Sequence, residues 1–350
     1  MCIPSPGTER TWFTLIYPIT SKNSKSVIMV ALSSVLLVAG LASHAKASPT
    51  GRSTVDLDQA TITQAVGYSP SLPKGLVKPK VTPPTPIIRQ FTPEEFDAWA
   101  VNVSSTVTAR SAGKIAHEKR IIGTDERYYQ SSSAYPFGSI GRLYMPVTGG
   151  YAWCTGTLVG PRLMASARHC IDSDAQYFLF EPGYNNGDVF PSAYVTEIVS
   201  LAADSSIGTC DLKNDWALYV LGDALGTQRG YMPVGNYTAD RSVVENQNVL
   251  YNAGYPGDLS SGQQLYMSDS RDSYLYLSGS CANGGPIVGN CDVAGGMSGG
   301  PLWRRSGDDR WTYGGLYGTA VDATGTQVSI HSWGDSFIEG VKNLNAQYPS

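Results

Sequence analysis

From residue 121 onward, turn signals recur so often that long helices have little room. Gly149-Gly150, Gly160-Pro161, Asn185-Asn186-Gly187, Pro256-Gly257-Asp258 and Gly284-Gly285-Pro286 punctuate the chain. Between them lie short apolar or alternating runs, among them 151–159, 217–221 and 249–253, which read as strands. Short strands at regular spacing close into barrels or pack as a sandwich. Composition agrees: 38 Gly and 21 Tyr stand beside only 15% charged residues, which suits strands and tight turns better than long surface helices. Only the end of the chain has helical apolar spacing, where Phe337, Ile338, Val341 and Leu344 predict a helix over about 335–346.

The N-terminal third differs. Lys22 and Lys25 precede an almost wholly apolar run from Val27 to Ala42. The run ends in Ala45-Lys46-Ala47, a small-x-small cleavage signature, so 22–47 reads as a secretory signal cut after Ala47. A retained membrane anchor is the competing reading; the run is short for spanning. Residues 70–86 hold six prolines and predict an extended linker. Thr92-Pro93-Glu94-Glu95 forms a capping box with proline at the first helical position, which predicts a short helix over about 93–100. We read 48–120 as a pro-segment ending at the dibasic pair Lys119-Arg120; a small accessory domain is the alternative. The formal net charge of −4 argues against nucleic acid as a partner.

Export gives the cysteines meaning. Beyond the signal, Cys154, Cys170, Cys210, Cys281 and Cys291 form an odd set without CxxC or paired-His spacing, so disulfides are expected and no metal or cofactor.

Three local patterns carry the chemistry. Ala165-Ser166-Ala167-Arg168-His169-Cys170 places a histidine at a strand end, beside a cysteine that can staple to Cys154 and hold the imidazole still. Asn214-Asp215 opens the buried run Trp216 to Leu221; an Asp there needs a hydrogen-bond donor, and an imidazole N–H is one. Asp204 and Asp211 are nearby rivals. Gly295-Gly296-Met297-Ser298-Gly299-Gly300 lets the backbone turn sharply, expose the Ser298 hydroxyl and aim the N–H groups of Gly296 and Ser298 together. Singly, each pattern is more commonly structural or evenly balanced. Together they predict a Ser-His-Asp triad in the order His169, Asp215, Ser298, with Gly296 and Ser298 as oxyanion donors.

These motifs resemble those of trypsin-like peptidases of the chymotrypsin fold and, more narrowly, the glutamyl-endopeptidase or V8-like branch. The resemblance covers about 121–345. It includes Ile122-Gly123-Thr124-Asp125-Glu126-Arg127 as a mature start, Cys154 through Val159, His169-Cys170, Asp215-Trp216-Ala217-Leu218, Gly254-Tyr255-Pro256-Gly257-Asp258, and Cys291-Asp292 through Pro301. It implies an all-β fold of two packed antiparallel barrels, roughly 121–235 and 236–350. It also implies hydrolysis of peptide or protein substrates by a secreted, monomeric serine endopeptidase. Asp292, Val293 and Tyr317 are expected at the S1 pocket. Tyr317 is placed where the V8-like branch has an acid-binding His, which argues against a Glu preference. Met297 replaces the Asp that pairs with the new amine in chymotrypsin relatives, so a cut after Arg120 would have to activate by another route. Cys154–Cys170 and Cys281–Cys291 are the expected bonds, with Cys210 the odd thiol.

Two rivals remain. Gly296-Met297-Ser298-Gly299-Gly300 also fits the nucleophile elbow of an esterase, with Asp322 and His331 in the right order, but strand rather than helix is expected after it. A binding protein on a protease scaffold is the other.

Overall fold

The computed structural model describes residues 55–71, 80–101, 119–121, 124–187, 190–277, 281 and 284–350. The expected signal and the start at Ile122-Gly123 lie outside the described residues. Among the described residues no helix is long and apolar enough to cross a membrane.

Strands dominate, as the turn spacing requires. Six of them, Ile140–Val147, Gly150–Leu158, Leu163–Ala167, Leu179–Pro182, Ala193–Leu201 and Trp216–Leu221, pair antiparallel, and the last pairs back onto Ala193–Leu201 to close a barrel. Its interior holds Leu143, Cys154, Leu158, Phe180, Val195 and Ile198, inward-facing residues of different strands. The second half of the chain forms another antiparallel sheet, with Leu250–Gly254, Tyr266–Ser270, Pro301–Ser306, Asp309–Val321 and Gln327–His331 as its main strands. Its own apolar cluster includes Leu250, Ile287, Val293, Met297, Leu302 and Leu316. The all-β class is the one expected from the turns; the first half closes into the barrel that the resemblance implies, and the second half is an antiparallel sheet. The predicted C-terminal helix runs Asp335–Gln347 and buries Phe337, Val341 and Leu344.

Residues 55–71 and 80–101 are woven into both halves. Their helix, Pro93–Val101, starts with both arms of the capping box: Glu95 N–H donates to Thr92 Oγ1 (3.2 Å) and Thr92 N–H to Glu95 Oε2 (2.8 Å). Phe91, Phe96 and Trp99 from this stretch are buried with Trp216 and Phe337, and the strand Ile87–Phe91 extends the first barrel's sheet parallel to Glu197–Leu201. Three large aromatic side chains shielded from water contribute several kcal/mol of burial, so this part is anchored and not a loose cover. Farther upstream, Thr61–Gln64 joins the second sheet and Gly67–Ser69 joins the first.

One expected bond is corrected. Cys154–Cys170 is present, but Cys281 pairs with Cys210, and Cys291 is a free, buried thiol. Proximity in sequence favoured Cys281–Cys291. Tertiary packing overrides it, because Cys210 and Cys281 share one cluster while Cys291 is held in another, its N–H donating to Ser329 Oγ. The bond therefore links the two halves of the chain. Burial pushes the Cys291 thiol up to about 12.

Candidate active site

The site is built where strand register leaves no choice. Ala167 pairs with Trp216 across neighbouring strands, so the residues just beyond, His169 and Asp215, emerge at the same end of the first barrel. Arg168 N–H donates to the Asp215 carbonyl (3.2 Å) and His169 N–H to Asp215 Oδ1 (3.1 Å), which fixes the carboxylate against the turn. The Cys154–Cys170 bond clamps that turn to the adjacent strand. Of the two rivals, Asp211 is taken by Arg168 Nη2 (2.6 Å), and Asp204 accepts from Ser206 N–H.

Ser298 arrives from the other half, on the turn between Val293–Ala294 and Pro301–Ser306. Thr155 fastens this turn to the first barrel: its N–H donates to the Ser298 carbonyl (2.8 Å), and its hydroxyl donates to the Gly296 carbonyl (2.8 Å) and accepts from Tyr255 N–H (3.0 Å). Two glycines are required here. Gly296 has φ +99°, and a Cβ would lie 2.3 Å from Trp153 Nε1; Gly299 has φ +78°, and a Cβ would lie 2.0 Å from Ser166 Oγ.

Three predicted residues meet in space. His169 Nδ1 lies 2.6 Å from Asp215 Oδ2, and His169 Nε2 lies 2.7 Å from Ser298 Oγ. A carboxylate can only accept, so Nδ1 carries the proton and Nε2 is left as an acceptor for the Ser298 O–H. The side chains of His169 and Asp215 are 4% and 2% exposed, and Ser298 is fully buried, so the chain of hydrogen bonds is shielded from bulk solvent. The N–H groups of Gly296 and Ser298 converge on one oxygen, the Ala65 carbonyl, at 2.5 and 3.0 Å. Nothing in the sequence marked Ala65.

The other pocket residues separate. Tyr317 turns its ring edge-on to His169, with centroids 5.1 Å apart, and its hydroxyl accepts from Gln64 Nε2 (3.4 Å). Leu316, one residue earlier, shares a buried cluster with Val293, Met297 and Ala65. Asp292 is buried; its carboxylate accepts from Glu126 N–H (2.7 Å) and its N–H donates to Ser268 Oγ (2.8 Å). Met297 is wholly buried in the apolar cluster and offers an amine no charge.

Two stretches that carried the resemblance are joined by an ion pair. Arg127 donates to both oxygens of Asp258 (2.9 and 2.6 Å) and to both of Asp125 (3.0 and 2.9 Å). The esterase arrangement is not assembled. His331 sits buried on Gln327–His331, 3.1 Å from Ser329 Oγ, and His169 occupies the Ser298 hydroxyl. Strand follows the serine turn, as the elbow would not allow. Among the described residues no cluster of ligands could hold a metal.

Residues 154–308 match the sequence model of the trypsin-like peptidase domain. The chain is 27% identical over 202 residues to a glutamyl endopeptidase of Bacillus licheniformis, a match covering 54% of this chain and 56% of that protein. The chain thus spans little more than half the length of that relative. A solved Glu endopeptidase structure superposes with a TM-score of 0.50 at 21% identity, covering 65% of this chain and all of the other. The fold is therefore chymotrypsin-like, and the chain resembles the trypsin-like serine peptidases, on their glutamyl-endopeptidase side.

Proposed function

We propose that the protein is a secreted serine endopeptidase, made as a zymogen, that hydrolyses peptide bonds through an acyl-enzyme. The observation that carries this reading is the imidazole of His169, bonded at once to Asp215 and to Ser298. Ser298 Oγ attacks the scissile carbonyl while His169 Nε2 takes its proton. Asp215 holds the ring in the tautomer that can do so. The N–H groups of Gly296 and Ser298 receive the oxyanion, and His169 returns the proton to the leaving amine. The scheme needs no cofactor.

Export and maturation belong to the same proposal. A leader is removed after Ala47, and 48–120 acts as a pro-segment released by a cut after Arg120. Support comes from residues 61–69, which run through the cleft and bury Ser298, as an inhibited precursor requires. The test is Ser298→Ala in the mature protein. It should lower kcat by at least about 10³-fold and abolish labelling by a phosphonylating reagent. Near-normal hydrolysis by the variant would refute the assignment. Failure of the unmutated mature protein to label or hydrolyse would favour a binding protein on the same scaffold.

A further inference from the structure

Residues 61–69 do more than cover the cleft: they lie in it as a peptide substrate would. Thr61–Gln64 pairs antiparallel with the strand Asp309–Val321, in the register Thr63 to Thr319 and Gln64 to Gly318. Past the serine, Gly67–Ser69 pairs antiparallel with Gly150–Leu158, in the register Gly67 to Trp153 and Ser69 to Tyr151. The segment thus bridges the two halves, held by main-chain ladders on both sides of one peptide bond.

That bond is Ala65–Val66. The Ala65 carbonyl oxygen accepts from both Gly296 N–H (2.5 Å) and Ser298 N–H (3.0 Å), and Ala65 N–H donates to Ser298 Oγ (3.0 Å). The carbonyl is therefore polarised by two donors, beside a hydroxyl whose proton faces His169 Nε2. The flanking side chains are sorted by the cleft. Ala65 is 5% exposed, in the cluster of Val293, Met297 and Leu316; Val66 is 3% exposed, in the first barrel's cluster with Cys154 and Cys170. At Gly67 any Cβ would lie 2.2 Å from the Trp153 ring, so only glycine lets the chain pass.

We propose that this chain is its own first substrate, cut by Ser298 between Ala65 and Val66, and that the S1 site accepts a small uncharged side chain. The inference rests on the peptidase reading. The Ser298 Oγ–C bond to the Ala65 carbonyl forms as the Ser298 proton passes to His169 Nε2. The Ala65–Val66 C–N bond then breaks, and that proton goes to the Val66 nitrogen. Water hydrolyses the Ala65 ester, leaving a carboxylate at Ala65 and a free amine at Val66. Because the nucleophile and the bond belong to one chain, cleavage is first order in protein.

The test compares the purified full chain with its Ser298→Ala variant by intact mass and N-terminal sequencing over time. The expected result is a new N-terminus at Val66 in the unmutated chain, at a rate unchanged across a hundredfold range of concentration, with no such product in Ser298→Ala. Ala65→Glu, which puts a charge into the apolar cluster, should slow the cut at least about tenfold. The variants Gly67→Val and Thr63→Pro release the segment without touching His169, Asp215 or Ser298. If the unmutated chain is not cut at Ala65–Val66 while either variant is labelled at Ser298 by a fluorophosphonate, self-cleavage is refuted and the peptidase reading stands. If there is no cut and neither folded variant is labelled, the peptidase reading falls and takes this inference with it. Cutting only elsewhere, at a rate that rises with concentration, or at equal speed in Ala65→Glu also overturns the proposal.

Discussion

Asp215→Asn probes the site more sharply than deletion of any group, because it preserves shape and turns one acceptor into a donor. Asp215 uses both oxygens: Oδ1 accepts from the His169 backbone N–H (3.1 Å), with Arg168 Nε 3.7 Å away, and Oδ2 faces His169 Nδ1 at 2.6 Å. An asparagine has one acceptor and one donor. The backbone N–H and the guanidinium both require an acceptor on the Oδ1 side, so the amide nitrogen must face Nδ1. That nitrogen donates, so the imidazole must accept at Nδ1 and carry its proton on Nε2. Nε2 then cannot take the Ser298 proton. Loss of the correct tautomer costs about 10⁴-fold in kcat, roughly 5.4 kcal/mol. The opposite arrangement would set a donor against a buried backbone N–H, a cost of about 1–3 kcal/mol, so the wrong tautomer is the stable one. The assay is kcat on a fluorogenic peptide spanning residues 61–69, with Gly67→Val present in both proteins to clear the cleft. Thermal melts should stay close, because the amide keeps the carboxylate's shape and its bond from the His169 backbone N–H. Activity within tenfold of the parent would refute the tautomer argument; a large drop in the melting temperature would show that Asp215 serves stability first.

Cys291, buried with its thiol pushed up to about 12, should resist iodoacetamide at pH 8 in the native protein and react fully in denaturant; rapid native alkylation would show that it is accessible. Cys281→Ser opens a cross-link spanning 71 residues and should lower stability by roughly 4 kcal/mol in a urea titration; no change would mean that Cys210–Cys281 does not form in solution. Burial holds His331 down to about 3, against 6.5 when unfolded. The unfolded state thus binds a proton that the native state refuses, and stability should fall as pH drops from about 6.5 towards 3, with no contribution above that window. His331→Gln should flatten this decline in unfolding midpoints taken at pH 7 and pH 4.5; a parallel decline would place the acid sensitivity elsewhere.

The three residues of the proposed triad were legible because each is tied to a local pattern: His169 to a strand end beside Cys170, Asp215 to the mouth of an apolar run, and Ser298 to a turn that only glycines allow. The helix Pro93–Val101 was legible for the same reason, since a capping box is satisfied within four residues. What failed to show in the sequence depends on contacts between distant segments. Cys210 lies 71 residues from its partner, so chain distance pointed Cys281 to the wrong cysteine. Tyr317 and Leu316 are neighbours in sequence, but the pleat sends successive side chains to opposite faces, one to His169 and the other into the cluster around Ala65. Ala65 itself has no local signature: a small residue between Gln64 and Val66 acquires meaning only when two ladders hold its carbonyl between Gly296 and Ser298. The sequence alone determined which residues can do chemistry, because that is a matter of functional groups and of backbone turns a few residues long. Only the tertiary structure decided which bond lies before them, because strand register across the cleft is fixed by packing on both of its walls.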